Sequence, residues 1–167
     1  MSFLRPVVVM GVSGTGKTTV GRALAEALDL PFVEGDDLHP AANQAKMAAG
    51  IPLDDADRAP WLDLVAAELR RPVVVTCSAL KRAYRDRLRL DAPDLALVYL
   101  HGAPELLAER MGGRTGHFMP TSLLGSQLAT LEPPTPDEHP IETDVAPSPG
   151  EIVASVVARL RAEESDG

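Results

Sequence analysis

Residues 11–18 of this 167-residue chain read Gly-Val-Ser-Gly-Thr-Gly-Lys-Thr, an intact G-x-x-x-x-G-K-[ST] phosphate loop. Such a loop works only between a strand and a helix, and the sequence supplies both. The apolar run Val7-Val8-Val9-Met10 reads as a buried strand, and Val20, Leu24, Ala27 and Leu28 recur at helical spacing behind the loop. Gly11, Gly14 and Gly16 let the backbone curl so that the N–H groups of the loop, including Val12, Ser13 and Thr15, face phosphate oxygens. The following helix turns its positive end to the same anion. Lys17 is then expected to reach the β and γ phosphates, and Thr18 to offer its hydroxyl to a magnesium ion. Thr19 is expected to add a supporting first-turn hydrogen bond.

Strands alternate with helical stretches along the rest of the chain, which predicts one α/β domain over residues 1–167 with a mostly parallel sheet. Further strands are expected at 31–33, 72–77, 95–100 and 141–145, and a closing amphipathic helix at 151–160 with Ile152, Val156 and Leu160 on one face. A hydrophobic fraction of 45% is enough for a sizeable core. The single cysteine, Cys77, has no internal partner for a disulfide, which fits a reducing cytoplasm. Neither a signal peptide nor a membrane span is apparent. With 16 basic against 24 acidic residues the net charge of −8 argues against a nucleic-acid or anionic-membrane surface. An anionic substrate would need a local basic cluster.

Such clusters fall at strand ends, where open α/β sheets bind ligands. Glu34-Gly35-Asp36-Asp37 follows the second strand. The guanine-reading N-K-x-D pattern is missing, and neither central strand ends in the aspartate of a Walker B element. Asp36 is therefore the candidate to accept a proton from an attacking hydroxyl, with Glu34 supporting magnesium through water. A solvated, helix-capping turn is the alternative. From Gly35 to Leu62 the chain packs polar residues between short apolar anchors, as a cover over a polyhydroxylated ligand does. In this segment Arg58 has two open readings, a bidentate grip on a carboxylate or a structural pairing with a nearby aspartate. Trp61 reads as a core anchor. After the third strand, Lys81 and Arg85 stand one turn apart on a helix. A cation at a helix start opposes the macrodipole and needs an anion, which a substrate or a transferring phosphate would supply. A solvated basic face paired with Asp86 or Asp91 is the other reading, and the preferred one for Arg87 and Arg89.

Taken together, the phosphate loop, G-D-x-x-H-P from Gly35, N-x-x-K-M from Asn43, G-x-P-L-x-D-x-D-R-x-P-W-L from Gly50 and C-S-A-L-K-x-x-Y-R-D from Cys77 resemble the bacterial-type gluconokinase family. The likeness continues through Thr115-Gly116-His117-Phe118 and Gln127 to Leu131-Glu132-Pro133. It implies a P-loop three-layer sandwich with a central parallel sheet and a mobile lid, like nucleoside monophosphate kinases and shikimate kinase. The activity it implies is ATP-dependent, magnesium-assisted phosphorylation of D-gluconate at the 6-hydroxyl by direct in-line transfer. Carried over by position, Gly14, Gly16, Lys17 and Thr18 form the triphosphate and magnesium site, Asp36 is the base, and Lys81 joins Lys17 and Asp36 as a catalytic group. His39, Arg58, Ser78, Lys81 and Arg85 surround gluconate. Arg110 and Arg114 would clamp ATP at the entrance to the lid, and His117 would either fix the closed lid or touch substrate. Gly112-Gly113 departs from the helix-compatible residues expected there and would loosen the lid hinge or break the helix early. The resemblance also suggests a homodimer. Another small-molecule kinase of this architecture, or a nucleotide-dependent binding protein that transfers no phosphate, are the competing readings.

Overall fold

The computed structural model describes residues 3–112 and 121–166. Five strands, β1 (Val7–Met10), β2 (Phe32–Glu34), β3 (Val74–Thr76), β4 (Ala96–His101) and β5 (Ile141–Asp144), form one sheet in the order β2-β3-β1-β4-β5. All four pairings are parallel. The central strand β1 sets Val8 opposite Val75 of β3 and Leu97 of β4, so the loop that follows it emerges at the middle of the sheet. These five strands fall where the sequence predicts them.

Period-two alternation divides the core. Val7 and Val9 join Val74, Val98 and Leu100 in a cluster covered by α1 (Lys17–Leu28) and α7 (Pro149–Asp166), through Leu24, Leu28, Val156 and Leu160. Val8 and Met10 point the other way, with Val75, Leu97 and Tyr99, into a cluster covered by α3 (Asp55–Glu68) and α4 (Arg82–Asp91), through Trp61, Val65, Tyr84 and Leu88. A parallel sheet buried on both faces gives the continuous apolar runs read in the sequence. The remaining described helices are α2 (Ala41–Ala48), α5 (Pro104–Gly112) and α6 (Thr121–Thr130).

Helix α3 starts at a capping box. The Asp54 carboxylate accepts from the Asp57 N–H at 2.7 Å, and the Asp57 carboxylate accepts from the Asp54 N–H at 3.0 Å. The closing helix α7 is longer than its apolar stripe predicts, since its polar last turns carry no hydrophobic signal. Among the described residues no helix is long and apolar enough to cross a membrane.

Candidate active site

The phosphate loop runs from β1 into α1 with Gly14 at φ 86° and Gly16 at φ 84°, left-handed positions that a side chain would strain. Thr15 Oγ1 donates to the Val12 carbonyl at 2.8 Å and closes the curl from within. Lys17 Nζ lies across the loop, donating to the carbonyls of Gly11 at 3.0 Å and Val12 at 3.3 Å. Burial lowers its pKa from the ordinary lysine value, while the carboxylates of Asp36 and Glu34 pull it back up.

Beyond β2 the chain turns through a single 3₁₀ turn, Gly35–Leu38. Gly35 is there because nothing larger fits: a Cβ would stand 1.8 Å from the Thr76 carbonyl oxygen of β3. The Gly35 N–H donates to Thr76 Oγ1 at 3.1 Å, and Trp61 Nε1 donates to the Gly35 carbonyl at 2.8 Å. The acid-bearing turn is thus fastened from two sides. Glu34 accepts hydrogen bonds from both the Thr18 and Thr76 hydroxyls, which joins the second strand's end to the first turn of α1. Asp36 has its pKa raised by burial, opposed by Lys17 and reinforced by Glu34 and Asp37. A carboxylate held toward neutrality beside a buried ammonium is a stronger base than a solvated aspartate.

Lys17, Asp36, His39, Arg58, Ser13 and Ser78 line one cleft together with Ser126, Gln127 and Thr130 of α6. Gln127 Oε1 accepts from both the backbone N–H (2.7 Å) and the hydroxyl (3.0 Å) of Ser13. Arg58 Nη1 donates to the Tyr84 hydroxyl at 3.0 Å, so its protein partner is a phenol and not the nearby aspartate that the sequence left open. His39 lies parallel to Trp61 with ring centroids 4.1 Å apart, so the tryptophan is both core anchor and floor of the site. A second cleft on the other side of the loop is lined by Gly14, Gly16, Thr19 and Arg110 with Pro147 and Ile152. Arg110 therefore sits beside the phosphate loop.

Two sequence-predicted site residues find their partners within the protein, away from this cleft lining. Arg85 is 1% exposed. It forms a bidentate pair with Glu138, at 2.7 and 3.1 Å, and donates to the Ala79 carbonyl at 2.9 Å. Its guanidinium braces the Cys77–Lys81 loop and does not line the cleft. Burial alone would raise the Glu138 pKa, but Arg85, the Thr135 N–H and Arg89 outweigh it and hold the carboxyl down to about 2. Lys81 is the N-cap of α4 rather than a residue within it. Its anion is Asp55 at 3.1 Å, the compensating charge coming from the protein itself, and it too is absent from the cleft lining. Arg87 and Arg89 form the expected pairs, with Asp91 and Asp86, and Arg89 also reaches the buried Glu138 at 2.9 Å. Arg114 and His117 lie outside the described residues. Cys77 is fully enclosed, and burial pushes its thiol up to about 12, so it is not a nucleophile.

Sequence reasoning gave no role to Thr76, Tyr84 or Gln127. Thr76 was hidden inside an apolar strand, whereas Tyr84 and Gln127 belonged to quoted motifs whose spacing does not reveal their partners.

A parallel α/β sheet with a phosphate loop behind its central strand and an acid at the end of a flanking strand defines a phosphate-loop small-molecule kinase. An AAA domain family model matches residues 7–134. The chain is 50% identical over 166 residues to the gluconokinase of Gluconobacter oxydans 621H, covering 96% of this chain and 93% of that one. With the thermoresistant gluconokinase of Escherichia coli K12 it shares 43% over 161 residues, 92% of each chain. The chain belongs to the gluconokinase family and is a sugar-acid kinase. A crystal structure of a gluconokinase from Sinorhizobium meliloti 1021 superposes with a TM-score of 0.93 at 53% identity, over 99% of this chain and 97% of that one. Shikimate kinase from Aquifex aeolicus, at 15% identity and a TM-score of 0.61, shares the fold alone.

Proposed function

We propose that this kinase transfers the γ-phosphoryl group of ATP directly to the 6-hydroxyl of D-gluconate, releasing ADP and 6-phosphogluconate. The observation that carries the reading is that one cleft joins Lys17 of the phosphate loop, the buried Asp36 and the cationic Arg58. Asp36 accepts the proton of the attacking hydroxyl while Lys17 neutralises charge on the phosphates. Arg58 receives the carboxylate at the other end of the six-carbon chain, which fixes the direction in which the substrate lies. His39, Ser78 and the face of α6 serve the intervening hydroxyls. Arg110, across the loop, serves the nucleotide.

Magnesium fits the donor set. Thr18 supplies a hydroxyl and Glu34 a carboxylate for a water-mediated contact, both hard oxygen groups. When bound, the ion draws charge from the β and γ phosphates.

The test is ADP release from MgATP with D-gluconate, shikimate, nucleoside monophosphates or no acceptor, the product being identified by mass. Gluconate-dependent release with phosphate on the 6-hydroxyl is expected. Release with another acceptor alone would overturn the substrate, and release that no acceptor stimulates would overturn the transfer reaction.

A further inference from the structure

The N-x-x-K-M motif of α2 has no part in the chemistry above, yet Asn43 is only 4% exposed. Its side-chain nitrogen stands 2.8 Å from the Asp57 carbonyl oxygen and 3.1 Å from Nδ1 of His39. A main-chain carbonyl can only accept, so the Asn43 atom facing it is the amide NH₂, and the orientation of the amide follows from the network. The second proton of that NH₂ points to Nδ1, which must then carry a lone pair. In a neutral imidazole the ring proton is therefore on Nε2. Among the described residues Nε2 has no hydrogen-bond partner, and no side-chain polar atom is both buried and unpartnered. Nε2 consequently opens toward the cleft that His39 lines.

The rest of the motif holds this arrangement still. Lys46 pairs with the Asp57 carboxylate at 2.9 Å, and the capping box of α3 fixes the same residue, so the carbonyl that orients Asn43 cannot drift. Gln44 donates to the His39 carbonyl at 2.9 Å, and the Trp61 stack sets the plane of the ring.

We propose that Asn43 is a positioning residue that locks His39 as the Nε2–H tautomer, so that His39 presents an uncharged N–H donor to an oxygen of the sugar acid. This rests on the sugar-acid reading of the cleft. The charged groups lining the same cleft are Lys17 from α1, Asp36 from the 3₁₀ turn and Arg58 from α3. Burial, and after it the charge of Arg58, push the His39 pKa down to about 4, so the ring is neutral at physiological pH. Between two cations a third would be costly, whereas a neutral donor recognises a hydroxyl oxygen without adding charge.

The experiment is nitrogen NMR of ¹⁵N-histidine-labelled full-length protein at neutral pH, paired with kinetics. The wild type should show an unprotonated Nδ1 and a protonated Nε2 for His39. Asn43→Asp replaces the donor with an acceptor and should move the proton to Nδ1; Asn43→Ala, which introduces no new charge, should abolish the single-tautomer signature. In both, the KM for gluconate should rise about ten-fold while the KM for ATP holds. His39→Gln, which returns an N–H close to the Nε2 position, should retain more gluconate affinity than His39→Phe. A wild-type Nδ1–H signature would overturn the lock. So would an Asn43→Ala variant that loses the signature yet keeps its gluconate KM. The NMR needs no acceptor, so the expected tautomer in a protein that does not phosphorylate gluconate would overturn the substrate and leave the lock standing.

Discussion

The phosphate loop and the segment from Gly35 to Trp61 line the same cleft but are built in different ways. The loop is backbone work: left-handed glycines, a lysine folded over its own carbonyls and a threonine hydroxyl returned to the curl, all within eight residues. The cover segment is held by side-chain contacts, two of them to residues 26 positions on, Arg58 to Tyr84 and Asp55 to Lys81, and one within it, Asn43 to the Asp57 carbonyl. A loop that makes its own geometry tolerates little change. A segment made of reciprocal side-chain contacts can adjust its specificity one pair at a time.

The hardest blow to the loop is Lys17→Ala, expected to lower kcat by about 10³-fold with the far-ultraviolet circular dichroism unchanged. Retained turnover would remove the phosphate loop from the chemistry. Next comes Asp36→Asn, expected to cost about 10²-fold in kcat with little change in the KM for ATP. Because its pKa is raised, Asp36 takes up its proton at a higher pH than an ordinary carboxylate as the solution is acidified. The wild-type kcat should therefore fall on the acid side earlier than a solvated aspartate would allow, and equal losses in kcat and ATP affinity for Asp36→Asn would argue against a base.

Arg85 sharpens the comparison because its role is structural. Arg85→Ala removes the bidentate partner of the buried Glu138 and leaves only Arg89 and the Thr135 N–H on it, and should cost about 1.5–3 kcal/mol in denaturant unfolding, with the gluconate KM of the folded fraction unchanged. A large rise in that KM with intact stability would return Arg85 to the substrate. The Glu138 carboxyl is depressed from an ordinary 4.5 to about 2, so its stabilisation is complete above pH 4.5 and is lost as pH falls through about 2. A Glu138→Gln variant should lose that acid-side dependence. The smallest effect belongs to Lys81→Met, which breaks a pair with the exposed Asp55 and should barely move the melting temperature. A ten-fold drop in kcat would show that Lys81 leaves Asp55 and acts on the phosphate.

What could be read in advance follows the same division. β1, the loop and α1 were legible because apolar runs, glycine spacing and helical periodicity are local signals. The parallel sheet followed from the alternation of strands and helices. Asp36 could be singled out as a candidate by its place after a strand. The partner of Arg85 was not legible because a basic residue one turn from another looks solvated or ligand-bound, and the acid it pairs with, Glu138, lies 53 residues away beyond α6. The partner of Lys81 was not legible for the related reason that its anion, Asp55, stands at the start of another helix. Long-range ion pairs leave no periodicity behind.

The close seating of Gly35 against Thr76 bears on how this site can change over generations. The residue performs no chemistry, yet the smallest possible enlargement there, one methyl group, would push the backbone that carries the neighbouring Asp36 away from β3. Mutational drift is therefore closed at a position that a census of reactive groups would pass over, and the alignment of the acid with the phosphate loop is inherited through an atom that is missing.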